Sequence, residues 1–397
     1  MKLTAWKKTE KNFTKWIKNT NIVSAMGTDL ISIDYPSVNL GSKKSNITFI
    51  DGPVDLVKLF LDKKENPIQK RFFITDSNVA SLECLQNFTS KFDDGVYEND
   101  FLMVIGSGEK SKSVETILSI ITAAVQANFT RKDMFVGIGG GVICDLVSFA
   151  ASIYKRGIEV QLVPSSLLAM VDAAIGGKTS CDFGEYKNII GTYFSASNIY
   201  YFPAFIKTLP ENQYNSGLAE SFKTGLLFDK ELYNLFKNST DKILSRDEDT
   251  LEEIIKRSVK AKGNVVAKDF LDESTRTLLN LGNTFGRALE DISGLGSITY
   301  GAAVAWGIGR SVELALKKEY CLQTFRDEIF SILEKYNWET DAQPQVARGG
   351  GIGSRMLQIM HMDKKNLTDK VRIIILKGIE EAFVEDVDDK DILAVLK

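Results

Sequence analysis

The sequence predicts an α/β domain with a Rossmann-like parallel sheet, followed by a mostly α-helical domain. In the first half, short apolar runs alternate with amphipathic stretches, which is the pattern of a parallel sheet with helical crossovers. After about residue 210 the apolar residues follow helical spacing, and Gly, Asp and Asn separate the segments. The chain has 397 residues, more than one hydrophobic core usually serves. We therefore expect an extension at 1–28, an α/β domain at 29–209 and a helical domain at 210–397.

Buried strands alternate with helices in the first half. The strands are short runs of aromatic and branched residues that end near Asp or Gly. We predict strands at 71–75, 101–105, 134–138 and 158–163, and helices at 114–127 and 142–154.

Longer helices are predicted in the second half, because apolar residues recur there at intervals of three and four. Their predicted ranges are 215–227, 232–244, 251–266, 277–292 and 302–318. In the extension, Trp6, Phe13, Trp16 and Ile17 follow the same spacing between lysines. We expect a leading helix packed on its own domain, and a partner-docking or membrane-surface helix is the alternative.

Composition excludes several classes of function. The net charge of −3 gives no electrostatic reason to expect nucleic acid or an anionic membrane as a partner. No apolar run has the length of a membrane span, and the first residues lack the apolar core of a secretory signal. The four cysteines are scattered, and the chain has one histidine, His361. We therefore expect a cytoplasmic protein with reduced thiols and no Cys/His zinc site.

A glycine turn in the first half is typical of a nucleotide site. Gly139, Gly140 and Gly141 follow a predicted strand and open a predicted helix. Glycines there let the backbone approach a pyrophosphate, whose charge the helix N-terminus favours. A tight turn without a ligand is the alternative. Asp76, at the end of another strand, is a candidate for a ribose hydroxyl or for a helix N-cap.

Motifs along residues 71–376 together resemble those of dehydroquinate synthases, which are sugar phosphate cyclases. They occur in the family's order, and they are DSNV, GEKSK, GGGVICD, VPSSLL, VDAAIGGKTS, KNIIG, LAESFKTG, LLNLGNTFGRALE, YGAAV and DKK. The resemblance implies a dehydroquinate synthase-like fold, NAD as cofactor, a sugar phosphate substrate and a homodimer.

The resemblance also implies a set of cofactor residues. In the family these segments wrap NAD, from the adenosine part through the pyrophosphate to the nicotinamide. The implied residues are Asp76, Asn78, Glu109, Lys112, Gly140, Gly141, Val142, Asp145, Ser165, Ser166, Lys187, Phe205, Thr208 and Leu209.

Substrate residues are implied in the same way. Retained cations suggest an acidic sugar, because a guanidinium pairs a carboxylate through two parallel hydrogen bonds. The implied substrate-binding residues are Arg156, Asp172, Asn188, Lys262, Arg276, Asn280 and Lys364, with Arg156 supplied across a dimer interface. The implied catalytic residues are Lys178, Glu220, Lys223, Asn283, Arg287 and Tyr300.

The segment 278–290 departs from the family at its metal site. Where it reads LLNLGNTFGRALE the family has GHTxGH, and the family's three metal ligands correspond to Glu220, Asn283 and Tyr300. Asn is a weak neutral ligand, and Tyr ligates poorly because its pKa is about 10. We therefore expect no bound divalent metal. Arg287 is one helical turn from Asn283 and is the candidate replacement for the metal's charge.

These observations leave three hypotheses. The first is a metal-independent cyclase that eliminates phosphate from an acidic seven-carbon sugar phosphate and is not the housekeeping enzyme. The second is a catalytically silent NAD-binding homologue that acts as a partner or regulator, with Arg287 paired to Glu220. The third is an NAD-dependent polyol dehydrogenase on a related scaffold.

Overall fold

The computed structural model describes residues 29–36, 41–61, 69–93, 99–184, 186–294, 296–362 and 369–397. The predicted extension at 1–28 and the substrate residue Lys364 lie outside the described residues.

A mostly parallel sheet forms the first half of the molecule, as predicted, and it has seven strands, of which β1, β2 and β9 were not predicted. Its strands are β1 (Leu30–Asp34), β2 (Lys44–Phe49), β3 (Arg71–Asp76), β4 (Phe101–Ile105), β5 (Met134–Gly139), β6 (Glu159–Pro164) and β9 (Asn198–Tyr201). The order is β1-β2-β9-β6-β5-β3-β4. Strands β1 and β2 pair antiparallel, and all other neighbours in this sheet are parallel.

The register brings the carboxyl ends of the central strands to one edge. Asp76 at the end of β3 is paired with Ile105, and Gly139 at the end of β5 is paired with Pro164. Ligands of α/β proteins bind at this edge. The helices of this half are α1 (Leu56–Leu61), α2 (Ser77–Ala80), α3 (Glu83–Asp93), α4 (Val114–Gln126) and α5 (Gly141–Ile153).

A hairpin that the sequence did not predict leaves the sheet after β6. It consists of β7 (Lys178–Phe183) and β8 (Tyr186–Tyr193), which pair antiparallel. Most of β8 is exposed, so its residues lack the apolar alternation that marks a half-buried strand.

The second half is mostly helical, which confirms the predicted fold class. Its helices are α6 (Glu211–Phe228), α7 (Lys230–Asn238), α8 (Thr240–Leu244), α9 (Glu248–Lys268), α10 (Asn283–Ser293), α11 (Tyr300–Lys317), α12 (Gln323–Lys335), α13 (Ile352–His361) and α14 (Asp389–Ala394). A second unpredicted hairpin is formed by β10 (Val371–Gly378) and β11 (Glu381–Val387). None of the helices in the described part of the chain has the length and hydropathy to span a bilayer.

The predicted helix at 277–292 is two elements. A 3-10 helix covers Thr275–Asn280, and α10 begins at Asn283. Gly282 separates them with a φ of 79°, a left-handed conformation that glycine adopts without strain. The predicted helix at 232–244 is also divided, because α7 ends before Ser239 and α8 begins after it.

Candidate active site

The glycine turn has the features of a pyrophosphate site. Gly140 is the N-cap of α5 and no side chain caps that helix. A Cβ atom built on Gly140 would meet only the Ser166 side chain, whose Oγ would be 3.5 Å away. The Ser165 backbone N–H donates to Gly139 O at 2.8 Å, which holds the two loops together. A helix N-terminus without a side-chain cap, next to a serine hydroxyl, fits an anionic cofactor group.

Asp76 serves as a helix cap at the same sheet edge. Its Oδ1 accepts from the backbone N–H of Asn78 at 2.9 Å and of Val79 at 3.0 Å. Of the two roles considered for Asp76, the structure shows the helix N-cap, and Oδ2 takes no part in these two hydrogen bonds. Asn78 and Glu109 are exposed near the ends of β3 and β4, where an adenosine would lie.

The predicted cofactor wall after β9 is a 3-10 helix, Pro203–Thr208. Phe205 is fully buried and packs edge-on against Phe202, with ring centroids 6.2 Å apart. Thr208 donates to Phe205 O at 2.7 Å, and Leu209 and Val142 are partly exposed. Phe205 therefore supports this wall from behind, and Thr208 and Leu209 form its surface.

Lys112 connects the nucleotide elements to the hairpin. Its Nζ lies 2.6 Å from Asp145 Oδ2 on α5 and 2.5 Å from Asn188 Oδ1 on β8. Burial raises the pKa of Asp145, and Lys112 opposes that shift. Lys112 was predicted to contact adenosine, and the structure places its ammonium between α5 and the hairpin of β7 and β8.

Asp172 is the centre of a group of cations. It lies in a π-helical turn, Ala169–Ala173, and Lys262 Nζ is 2.5 Å from both its Oδ1 and its backbone O. Burial opposes ionisation of Asp172, but Lys262 and Lys223 outweigh it and lower its pKa to about 2. Burial and the neighbouring cations Arg276 and Lys178 lower the pKa of Lys262. An anionic group bound here would relieve this repulsion between cations.

Arg276 is buried at the edge of this group. It is 1% exposed, and its guanidinium donates to Phe270 O at 2.6 Å and Gly176 O at 3.0 Å. Its Nε is buried with no hydrogen-bond partner among the described residues. Lys178 is half exposed and pairs with Asp272 at 2.6 Å. The group therefore contains one exposed cation, Lys178, and one enclosed guanidinium whose Nε has no partner among the described residues.

Glu220 and Lys223 form a buried ion pair on α6. Their charged atoms are 2.6 Å apart, and both side chains are almost fully buried. Burial raises the pKa of Glu220, Asp172 adds to that shift, and Lys223 and Lys262 oppose it. By sequence, Lys223, three residues further along the helix, and Arg287 are both candidate partners of Glu220, and the described ion pair is with Lys223.

Asn283 and Tyr300 meet in a polar corner between α10 and α11. The Tyr300 hydroxyl donates to Asn283 Oδ1 at 3.3 Å, and Asn283 Nδ2 donates to Asn280 Oδ1 at 3.4 Å. The chain of hydrogen bonds ends where Asn280 Nδ2 donates to Thr277 O at 2.9 Å. Burial, Glu220 and Asp172 raise the pKa of Tyr300 well above its ordinary value, and Arg287 opposes them. The phenol therefore keeps its proton at neutral pH.

Close helix packing creates this corner. A Cβ atom on Gly286 of α10 would come 2.7 Å from Ala303 O of α11. A Cβ atom on Gly301 would overlap the backbone of Ser216 on α6, and the Gly301 N–H donates to Ser216 Oγ at 2.9 Å. Glu220 lies one turn after Ser216, so these small residues bring α6, α10 and α11 to the same place.

Glu290 and Asp272 are site residues that the sequence reasoning missed. Glu290 lies 3.6 Å from Lys187, and the charges of both Lys187 and Arg287 act on it. A signal for Glu290 was present, because it is three residues after Arg287 and seven after Asn283, on the same helix face. Asp272 lies in a loop without periodicity, and no sequence pattern marks it.

Arg156 lies away from these contacts. It is exposed after α5, and its φ of 68° and that of 48° at Lys155 are left-handed. The role of Arg156 across a subunit interface stays a prediction.

The corner does not fit a zinc or cobalt site. Of its three candidate ligands, Glu220 is paired with Lys223, and Asn283 and Tyr300 bind each other. Among the residues that the structure describes, no three His, Cys, Asp or Glu side chains form a possible ligand group. Divalent zinc prefers thiolate, imidazole and carboxylate donors, so this donor set would hold it poorly.

Comparison with known proteins identifies the family. The 3-dehydroquinate synthase N-terminal model matches residues 102–216, and the C-terminal model matches 217–366. The 3-dehydroquinate synthase of Thermoanaerobacter pseudethanolicus is 31% identical over 368 residues, which cover 92% of this chain and 100% of that protein.

Two solved structures share the fold. A 2-deoxy-scyllo-inosose synthase with carbaglucose-6-phosphate, NAD+ and Co2+ has a TM-score of 0.79 at 19% identity, covering 93% of this chain and 99% of that one. A 2-epi-5-epi-valiolone synthase from Streptomyces hygroscopicus subsp. jinggangensis, with NAD+ and Zn2+, has a TM-score of 0.76 at 23% identity, covering 93% and 97%. The chain belongs to the 3-dehydroquinate synthase family of lyase-type sugar phosphate cyclases.

Proposed function

We propose that this protein eliminates phosphate from an acidic seven-carbon sugar phosphate and closes the ring, with NAD as cofactor and without a divalent metal. The observation that carries the proposal is the group of cations around Asp172, formed by Lys178, Lys223, Lys262 and Arg276. The proposal includes a cytoplasmic homodimer in which Arg156 reaches the neighbouring site.

The cations support an acidic phosphorylated substrate. Desolvation by the surrounding protein and repulsion from neighbouring cations lower the pKa of both Lys178 and Lys262, and Asp172 and Asp272 oppose this shift only in part. A bound anion would therefore stabilise both ammonium groups. Arg276 has spare N–H donors for a carboxylate. Lys178 is the exposed cation that a phosphate meets first.

The glycine turn supports NAD. Gly140, Gly141 and Ser166 would hold its pyrophosphate, and Asp145 lies one helical turn further along α5. Both structural neighbours were solved with NAD+. Bound NAD would supply reversible hydride transfer. The chain's own part is to hold the substrate and to stabilise charge on its oxygens.

Arg287 and Tyr300 are proposed to replace the metal's electrostatic role. The charge of Arg287 acts on Tyr300, which remains a neutral hydrogen-bond donor. A fixed cation and a donor in a partly enclosed site stabilise a developing alkoxide without a Lewis acid. The hydroxyl proton of the substrate needs an acceptor, and Glu220 is the nearby carboxylate with a raised pKa.

Phosphate release from metal-depleted protein tests the proposal. The protein is treated with a chelator, its zinc and cobalt contents are measured by elemental analysis, and it is mixed with NAD and heptulosonate phosphate. We expect phosphate release that chelator leaves unchanged. No release with any seven-carbon sugar phosphate would overturn the lyase proposal, and release only after metal addition would overturn metal independence.

A further inference from the structure

We propose that Lys112 is a positioning residue that couples the cofactor site to the substrate site by fixing the side-chain amide of Asn188. The role of Asn188 as a substrate ligand rests on the proposed function. The coupling is a separate inference, because it concerns how two elements of this chain are connected.

Lys112 lies at the junction of the two sites. Its side chain is almost fully buried, and its ammonium contacts Asp145 at 2.6 Å and Asn188 Oδ1 at 2.5 Å. Asp145 follows the glycine turn on α5, and Asn188 is on the exposed strand β8. Ser180 on β7 completes the connection, because its hydroxyl lies 2.8 Å from Asn188 Oδ1 and 3.5 Å from Asp145 Oδ2.

These contacts set the direction of the Asn188 amide. An ammonium can only donate, so the atom that faces Lys112 is the amide oxygen, and the Ser180 hydroxyl donates to the same oxygen. The Asn188 NH2 group consequently points away from Lys112. Its two N–H donors suit phosphate or sugar oxygens. If the amide were rotated by half a turn, its oxygen would face those ligand oxygens and could not donate to them.

The backbone is held by the same elements. Asn188 has a left-handed φ of 54°, and its N–H donates to Asp182 Oδ1 at 2.7 Å. The Asp182 N–H donates in turn to Lys112 O at 2.7 Å. The residue that fixes the Asn188 side chain thus also anchors the strand that fixes its backbone.

Lys112 remains charged in this position. Burial opposes its protonated form, but the charges of Asp145 and Glu109 outweigh burial and raise its pKa. A cofactor that touches Asp145 or Lys112 therefore alters the same ammonium that orients Asn188. Binding linkage is reciprocal, so each ligand changes the affinity for the other by the same factor.

Calorimetric titration of the full chain tests the coupling. NAD+ and heptulosonate phosphate are each titrated alone and in the presence of the other, with wild type, Lys112→Met and Lys110→Met. Lys110 is exposed in the same turn and is the matched control. We expect Lys112→Met to weaken sugar phosphate binding about tenfold to a hundredfold, the size of a lost charged hydrogen bond, and to bring the coupling factor close to one.

Additional variants separate positioning from a general structural role. If Lys112 acts through Asn188, the two losses should not add. The double variant Lys112→Met, Asn188→Ala should then have the same affinity for the sugar phosphate as whichever single variant binds it less tightly. Lys112→Arg should recover part of the affinity, and Ser180→Ala should give a smaller loss with the charge retained. Ser180→Ala tests the same orientation if Lys112→Met fails to fold.

The outcomes distinguish this inference from the proposed function. Suppose that the wild type binds both ligands. Unchanged binding by Lys112→Met, or additive losses in the double variant, would then overturn the positioning role and leave the proposed function standing. Wild type that binds neither NAD+ nor the sugar phosphate overturns the proposed function and the coupling with it.

Discussion

At the scale of single residues, Asn283, Arg287 and Tyr300 occupy the corner where the family has metal-binding histidines. Asn283 and Tyr300 are joined in a one-way chain of hydrogen bonds that ends at Thr277 O. Arg287 is exposed, and its charge acts on Tyr300 and Glu290. The Arg287 side chain is therefore accessible to a ligand, and its charge opposes the raised pKa of Tyr300.

Arg287→Ala tests the replacement of the metal's charge. We expect phosphate release to fall by about a hundredfold, the usual effect of removing one donor that stabilises an oxyanion. NAD+ affinity should change much less, because Arg287 is on α10 and the glycine turn that would hold the pyrophosphate is on α5. Steady-state phosphate release and NAD+ titration measure the two effects, with exposed Arg355→Ala as control. Unchanged phosphate release would remove Arg287 from the proposed chemistry.

Glu290→Gln tests the electrostatics of the corner through pH. Burial raises the pKa of Glu290, while Lys187 and Arg287 oppose the shift. In the folded protein this carboxyl keeps its proton to a higher pH than in the unfolded chain, so its ionisation costs folding free energy. The cost is absent below the ordinary glutamate pKa of about 4.3 and grows until the raised pKa is passed.

Glutamine does not ionise, so the variant should gain stability relative to wild type as the pH rises through that window. Chemical denaturation at pH 4 and pH 8 gives the difference, with exposed Glu334→Gln on α12 as control. A difference that does not vary with pH would contradict the assignment.

At the scale of secondary-structure elements, helices α10 and α11 lie close together because glycines of each helix face backbone atoms of the other. A Cβ atom on Gly307 would overlap Gly282 O, whereas one on Gly309 would come no closer than 3.3 Å to Leu333 Cδ1. Gly307→Ala should therefore lower the free energy of unfolding by about 3 kcal/mol, despite the better helix propensity of alanine. Gly309→Ala is the matched control and should change it by less than about 1 kcal/mol.

Thermal and urea denaturation of the two glycine variants measure the effect. Equal stability would mean that α10 and α11 are further apart than described. The closeness of these helices also sets the distance between Asn283 and Tyr300, so Gly307→Ala should impair the site as well as the fold.

Elements with a buried face could be predicted from the sequence, and elements without one could not. Strand β5 is buried throughout and α9 buries one face, so both carry clear apolar patterns. Strand β8 is mostly exposed, and its hairpin is held instead by polar contacts such as Thr179 with Thr192. In β10 a run of isoleucines is compatible with a buried strand or helix, so the pattern alone is ambiguous.

The candidate site was predictable where motifs carry the residues. Asp172, Lys178, Glu220 and Lys223 stand in segments that resemble the family, and the structure brings them together. Contacts between residues distant in sequence were less visible. Ser180 contacts Asp145 and Asp272 contacts Lys178 over separations of 35 and 94 residues, which only the folded chain creates.

At the scale of the whole molecule, ion pairs connect the sheet half to the helical half across the site. Lys178 on β7 pairs with Asp272, Lys187 on β8 with Glu290, and Asp172 with Lys262 on α9. The Tyr193 hydroxyl adds a hydrogen bond to Leu271 O at 2.9 Å. The hairpin therefore contacts the helical half through charges that also belong to the site, so substrate binding and the contact between the halves share residues.

The polar corner is also a property of the whole molecule, since α6, α10 and α11 each supply one residue to it. The Tyr300 hydroxyl and Asn283 Oδ1 are 3.3 Å apart, and the charge of Glu220 acts on Tyr300. The three helices therefore bring the three candidate ligand positions to one corner, and the side chains there lack the donors that zinc prefers.

Asn283→His combined with Tyr300→His should create a zinc or cobalt site with Glu220. One Glu220 oxygen must leave Lys223 for the metal, so we expect micromolar affinity rather than the tight binding of a dedicated site. Cobalt absorption and zinc calorimetry measure it, and each single variant, with one ligand fewer, should bind at least tenfold more weakly. Adding Arg287→His removes a nearby cation and should tighten binding further. A double variant that binds metal no better than wild type would show that the three helices do not meet at ligand distance, which would remove the basis for reading Arg287 and Tyr300 as replacements for a metal.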